Sequence, residues 1–528
     1  MTREATKVLS RMRTLFWPVH GYELRKFIPM LLMAFFIGLS YNVLHNAKDS
    51  LLLTAPGSSA AAIPFAKVWA MFPMAILIAS LFVKLSGRYS SEKVFYLMMS
   101  IFLTFFVLFA FVLYPLRDFI HPHQTANYLE QHLPEGLKGL TLIIRYWSFS
   151  LFYAMSELWG TTCLTVLFWG FANDVTKVGE AARFYGLLSL GANFSSVCAG
   201  QITFHMSKRA FNPSWIIGVD RWHQSLILLT LAICVSGLIA MALFRWLNVK
   251  VICKSLEPLR AAERAAAKMH SKPSIQASIA YLAKSKYLIS IAVVVFAYNV
   301  CINLVEVLWK HQVHNLYSDP NLCNAYFGKV TTAVGVVSTL LALLATSNII
   351  RRFGWTVTAL ITPIMFLATS VACFTCYLCP HNKLALLTAL LGMSPLALAA
   401  LAGSTQNAFL RGCKYTLFDA SKELAFIPLS RESRIKGKAA IDGVGSRMGK
   451  SGGALIHQGF LVGFKTLEAS APYIAVVLIV VLAGWLIAIR SLGRQFSKLT
   501  AGLIDSKEPA PLLTPQAPLT AAPSGAVN

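Results

Sequence analysis

The chain has 528 residues, of which 56% are hydrophobic and 13% charged. A soluble domain carries about a quarter of its residues charged, so a soluble enzyme and a string of soluble domains are excluded, and a protein with many membrane spans is left. The 47 Lys and Arg against 22 Asp and Glu give a net charge of +25. Those cations lie in short stretches between apolar runs rather than on one water-facing surface, which points to orientation in a bilayer and away from nucleic acid.

Residues 1–26 are polar and basic, without the apolar core of a cleavable signal, and read as a cytoplasmic N-terminus. A span needs about 20 apolar residues. Twelve runs meet this, centred at 27–47, 64–83, 94–115, 140–172, 184–206, 224–246, 287–309, 329–350, 355–378, 384–427, 439–463 and 471–490. The fourth and tenth are too long for one plain span, so their ends are expected to bend or leave the membrane. Lys and Arg are retained inside. Arg88 and Lys93 after the second span, Lys177 and Arg183 after the fourth, and Arg351 and Arg352 after the eighth therefore predict that both termini are cytoplasmic. Segment 247–286 carries Lys250, Lys254, Arg260, Arg264, Lys268 and Lys272 on an Ala-rich stretch. It reads as a basic amphipathic helix on the inner leaflet, joining a half at 27–246 to a half at 287–490. Residues 491–528 read as a cytoplasmic tail, rich in Pro and Ala past Lys507 and without the means to form a core. Cys373, Cys376 and Cys379 share one helix face; small apolar packing is the preferred reading over a soft metal, and no metal or cofactor is expected.

An internal repeat supports two halves. Tyr41-Asn42-Val43 and Asn46 return as Tyr298-Asn299-Val300 and Asn303, offset by 257; Gly179-Glu180-Ala181-Ala182 and Gly191 return as Gly437-Lys438-Ala439-Ala440 and Gly449, offset by 258. The fold class expected is therefore an all-α polytopic membrane protein of twelve helices in two pseudo-symmetric six-helix halves, the major-facilitator plan, with a site between the halves at midplane.

Several spans hold charges: Lys48 and Asp49 at the end of the first, Arg145 and Glu157 in the fourth, and Glu306 in the seventh. Arg411, Lys414 and Asp419 lie in the tenth, and Arg447 and Lys450 in the eleventh. Each costs about 3 kcal/mol within the bilayer and is by default a functional-site hypothesis. In the major-facilitator plan these spans line the cavity, so the charges are expected to converge there. Lysines and arginines suit an anion, and a polyphosphate wants cations from both halves. The bland readings are that Lys48 snorkels to the interface and that Glu157 and Glu306 only pair helices together. Asp49, Lys422 and Glu423 read as interfacial or structural, and Arg145 is balanced between the two. Pairing within each half, Lys48 with Glu157 and Glu306 with Lys450, would lower the cost of an empty cavity.

Gly445-Ser446-Arg447-Met448-Gly449-Lys450-Ser451 has the look of a phosphate loop, but Val444 stands where that motif requires Gly and no strand precedes it. Its glycines are expected to serve close helix contact, and Lys450 remains a cavity cation. A membrane enzyme would need a nucleophile or metal cluster, and none is convincing. A drug or sugar facilitator of the same fold stays open on physical grounds, with the number of cavity cations separating the two.

Several motifs resemble the nucleotide transporters, or ADP/ATP translocases, of obligate intracellular bacteria and plastids, most closely the chlamydial type. They are Asn46-Ala47-Lys48-Asp49, Glu157-Leu158-Trp159-Gly160, Phe168-Trp169-Gly170-Phe171-Ala172-Asn173, Asn303-Leu304-Val305-Glu306, Lys414-Tyr415-Thr416-Leu417-Phe418-Asp419 and the stretch from Lys436 to Ala454. The resemblance runs from the first span to the twelfth. It implies exchange of ATP for ADP plus phosphate, although some members are proton-coupled nucleotide importers or NAD carriers. It also implies four transport-critical charges on Lys48, Glu157, Glu306 and Lys450, with Lys414, Lys422 and Lys438 as alternatives for the last. The expected substrate site is Lys48, Glu157, Asn303, Glu306, Lys414, Asp419 and Lys450. The expected partners are ATP, ADP, phosphate and the lipid of a bacterial inner membrane, with a single chain sufficing.

Overall fold

The computed structural model describes residues 19–505 except 177, 216, 253–284, 345, 380–384, 430–432, 434–436, 439–440 and 442–444. Twelve long helices run through them: α1 (Leu24–Leu53), α2 (Ala62–Arg88), α3 (Ser91–Leu113), α4 (Trp147–Val175), α5 (Val178–Lys208) and α6 (Arg221–Leu247), then α7 (Lys286–Leu316), α8 (Pro320–Leu344), α9 (Thr346–Leu378), α10 (Pro395–Cys413, running on to Ala425), α11 (Ser446–Phe464) and α12 (Leu467–Asp505). Among the described residues, nine helices are long and apolar enough to cross a membrane. The other three, α5, α10 and α11, carry Gly, Ser and charged residues that lower their hydropathy. The side on which α1 begins and α12 ends is called here the terminal side, and the opposite one the far side.

Polar residues set the helix starts. The Asp220 carboxylate accepts from the His223 amide at 2.7 Å to cap α6, and the Ser285 and Ser394 hydroxyls cap α7 and α10. Pro320 and Pro395 open α8 and α10, where a missing amide hydrogen costs nothing. Both over-long runs break as expected. Lys138–Arg145 forms a short far-side helix before α4, and Ala385–Leu391 is cut from α10 by a turn at Gly392, which adopts φ +62. The eighth span differs from its expected window of 329–350: α8 starts nine residues earlier. Its first turns present Asn321, Asn324 and Thr331 to α1, α5 and α6 rather than to lipid, so hydropathy placed the centre too far along. The linker at 253–284, the N-terminal residues 1–18 and the tail at 506–528 lie outside the described residues.

Two seams join α1–α6 to α7–α12. Along the first, α5 lies on α8 with almost no side chain between them. A Cβ on Gly328 would sit 2.8 Å from the Gly200 carbonyl oxygen, and one on Gly335 would sit 2.7 Å from the Val197 nitrogen. Toward the far side this seam turns polar, with Asn324 donating to Ser207 at 2.8 Å and Thr331 to Asn46 at 2.8 Å. Along the second, Gln458 of α11 donates to the Pro64 carbonyl of α2 at 3.0 Å, and Gly136 of the far-side loop lies against the Leu461–Val462 backbone.

Candidate functional site

The buried charges meet between the halves in one continuous network. Lys48 Nζ lies 3.0 Å from Glu157 Oε1 and 2.7 Å from Asp49 Oδ1, with the Tyr153 ring 4.1 Å away. Lys310 Nζ bridges Asp49 Oδ2 at 2.8 Å and Glu306 Oε1 at 2.9 Å. Glu306 also holds Arg411 at 3.1 Å and Lys67 at 3.4 Å, and Lys67 donates to Asn303 Oδ1. Four cations and three carboxylates from α1, α2, α4, α7 and α10 thus compensate one another. A buried charge otherwise carries a desolvation cost of several kcal/mol.

His45 stands at the centre of this network. Arg411 Nη2 donates to its Nε2 at 3.0 Å, so the ring proton belongs on Nδ1, which faces Glu157 at 3.6 Å. Ligand atoms of His45, Asp49 and Glu306 lie within 4.8 Å of one another, as a metal site would require. Lys310 and Arg411 already occupy those carboxylates, and a divalent ion would add charge beside four fixed cations, so the donor set does not fit a metal.

Below the network, toward the terminal side, is a recess of about 800 Å³, counting its opening to solvent. Lys67, Glu157, Asn303, Glu306 and Arg411 form its roof, Tyr41, Tyr298 and Tyr415 are among its walls, and Lys414 and Lys450 stand lower down. Lys450 is exposed one turn from the start of α11 and makes no ion pair among the described residues. Gly449 and Gly453 bring that turn onto α7, where a Cβ on either would press on Asn299 or Asn303 at 2.7 and 2.8 Å. The segment that looked like a phosphate loop is therefore a helix with a glycine face.

Local distortion positions several of these groups. Lys67 lies in a π-helical stretch, Ala66–Met71; a second, Gly160–Phe168, starts one turn after Glu157; a third, Lys414–Phe418, follows Arg411. Such wide turns often occur at functional sites.

The structure brings together Lys48, Glu157, Asn303 and Glu306 and places Lys414 and Lys450 in the same recess. Asp419 stands apart from the network, paired with Lys414 at 3.3 Å. Two open readings close, at Lys48 and Asp49, and two expectations are corrected, at Arg145 and Glu306. Lys48 does not snorkel, being only 1% exposed under Tyr153. Asp49 is not interfacial but buried between two lysines. Arg145 does not converge on the cavity; it pairs with Glu130 at 3.0 Å in the far-side loops. Glu306 pairs with Lys310, Lys67 and Arg411 rather than with Lys450, because those cations surround it from three helices. Lys422 and Lys438 both lie against Glu423, away from the recess. The side chain of Arg447 lies outside the described residues.

Sequence reasoning missed Lys67, His45 and Lys310. Two signals pointed to Lys310: it follows Glu306 by four residues, on the same helix face, and the repeat offset of 257 sets Asp49 against Glu306, its two partners.

A helical bundle with a charged recess between two similar halves is the major-facilitator type of fold. Solved structures of this fold align over most of the chain: a D-xylose-proton symporter (TM-score 0.52, 11% identity, covering 89% of this chain and 97% of that one) and the inward-open xylose transporter XylE from E. coli (TM-score 0.51, 13% identity, 88% and 94%). The family model described as TLC ATP/ADP transporter matches residues 2–496. Similar relatives include ADP,ATP carrier protein 2 of Chlamydia pneumoniae, 42% identical over 97% of this chain and 96% of its own. ADP,ATP carrier protein 1 of the same organism is 43% identical over 94% and 96%, and the chloroplastic ADP,ATP carrier protein 1 of Arabidopsis thaliana is 41% identical over 90% and 74%. The chain belongs to the TLC ATP/ADP transporter family.

Proposed function

We infer that this chain exchanges ATP for ADP, with phosphate, across a bacterial inner membrane by alternating access. The terminal side is the cytoplasm, and the segments at 27–246 and 287–490 rock as two halves about the loaded site, joined by the basic stretch at 247–286. The observation that carries this reading is the recess, in which cations of both halves face one solvent-connected space. Bidentate and point-charge contacts from Arg411, Lys67, Lys414 and Lys450 suit a polyphosphate, and the tyrosine walls suit a planar base. Lys48, Glu157, Asn303 and Glu306 complete the substrate site, and Asp419 tethers Lys414. With the far side closed and Lys450 open to solvent, the described state faces inward. The chain is a transporter and not an enzyme: its residues bind phosphates without cleaving them, and one copy suffices.

The test is counterflow in vesicles containing the purified protein. Labelled ATP should enter faster when ADP is inside, with no nucleotide-dependent release of free phosphate from ATP. Uptake indifferent to internal ADP, or uptake of xylose in place of ATP, would overturn the reading.

A further inference from the structure

We propose that Lys67 and Lys310 form a reciprocal latch across the two halves, and that a phosphate in the recess opens it. Lys310 of α7 reaches over to Asp49 of α1, and Lys67 of α2 reaches over to Glu306 of α7. Each half therefore supplies a lysine to the other half's carboxylate, and the two carboxylates occupy equivalent places in the repeat. Neither lysine is among the four charges that the family resemblance singles out.

The two arms differ in access. Lys67 lines the recess, whereas Lys310 and Asp49 do not and are 1% and 2% exposed. A phosphate entering from the terminal side meets Lys67 and competes with Glu306 and Asn303 for it. Glu306, freed from its cross-half partner, keeps Lys310 and Arg411, both from its own half, at 2.9 and 3.1 Å. Asp49 likewise keeps Lys48 of its own half at 2.7 Å. Every buried charge then has a partner on its own side, and the halves can part without exposing an unpaired ion to a low dielectric. Without the phosphate, parting strands Lys67 and weakens both carboxylates. The latch thus holds back the empty carrier and lets the loaded one turn, which is the requirement for exchange over one-way leakage.

This rests on the ATP/ADP reading above and is tested on the exchange-to-leak ratio, the rate of labelled-ATP uptake into ADP-filled vesicles divided by that into empty ones. The charge-balanced pair Asp49→Asn with Lys310→Gln removes the arm that does not touch the recess. The ratio should fall about tenfold through faster entry into empty vesicles, while ATP affinity at the recess changes by less than about twofold. An unchanged ratio overturns the latch, and so does loss of ATP binding in folded, monodisperse protein, which would make the pair a ligand. As a second measurement that leaves the latch intact, spin labels at Gln131→Cys and Ser318→Cys, on far-side surfaces of the two halves, should separate when ATP is added. A distance indifferent to ATP overturns the proposal. If the unaltered protein shows no ATP uptake into either kind of vesicle, the substrate reading has failed instead.

Discussion

Lys48 and Lys450 carry the same charge and meet opposite fates on truncation. Lys48 is held by two carboxylates and a ring face, so Lys48→Ala leaves Glu157 and Asp49 short of a cation in a buried place. Breaking a buried pair in this way costs about 3–5 kcal/mol, and the variant should lose both exchange and thermal stability, read as a lower melting temperature in detergent. Lys450→Ala strands nothing. Its melting temperature should match the parent's, while the ATP concentration for half-maximal uptake rises several-fold. Equal destabilisation of the two would mean that Lys450 is part of the network. At this scale the sequence was legible where a charge interrupts an apolar run, as at Glu157 and Glu306. It was opaque where the charge sits near a run's edge, as at Lys67 and Lys310, since the same spacing serves a snorkelling lysine. His45 gave no signal, because a histidine in a span is more often a satisfied core residue.

Two elements make different demands on the chain. The α5–α8 seam depends on hydrogen in place of a side chain at Gly200 and Gly328: an added Cβ would run into Thr332 Oγ1 and sit 2.5 Å from the Gly328 carbonyl oxygen in the first case, and 2.8 Å from the Gly200 carbonyl oxygen in the second. Gly200→Ala should therefore force the helices apart, lowering the melting temperature and exchange together, with overpacking costing about 1–3 kcal/mol. Gly484→Ala, in open space on α12, should be neutral or slightly stabilising, since alanine is the better helix former by roughly 1 kcal/mol. Equal effects at the two sites would refute the role of the seam. The far-side loop carries a pH dependence. Burial, with His123 beside it, pushes the His121 imidazole down to about 4. Free histidine titrates near 6.5, so between these values the unfolded chain takes up the proton and the folded one does not. Stability should fall as pH drops through that window. In melting scans between about pH 7.5 and pH 5, His121→Gln should lose less than the parent; equal losses would locate the sensitive group elsewhere. Spans were the most legible elements because length and apolarity define them. The shift of α8 and the π-helical turns were not, since the first depends on which face meets protein and the second on a hydrogen-bond register that leaves no residue pattern.

For the molecule as a whole, the repeat made the two-half plan readable, because a duplicated segment keeps its spacing even when its chemistry drifts. The pairing of charges across those halves was not readable, because it depends on how closely the halves approach. ATP and ADP differ by about one charge, so one-for-one exchange should move charge and respond to membrane potential by about 2.3 kcal/mol per 100 mV. ATP entry into ADP-filled vesicles should accelerate when the interior is made positive with a potassium gradient and ionophore. Sealing phosphate inside with the ADP should remove this dependence, since phosphate leaving with the ADP balances the charge; entry into vesicles filled with ADP alone that ignores the potential would overturn charge-moving exchange.

The exposed Lys450 also makes capture on the terminal side sensitive to ionic strength, while the chemistry above it is not. A solvated charge is screened over about 8 Å in physiological salt and over about 3 Å at 1 M, whereas the Lys310–Asp49 pair, buried and outside the lining of the recess, lies beyond the reach of mobile ions. Raising salt should therefore weaken the apparent affinity for nucleotide entering from that side and leave the maximal exchange rate nearly constant. A carrier built in this way reads the electrolyte of the compartment into which it opens, and binds its cargo more tightly where the surrounding ions are dilute.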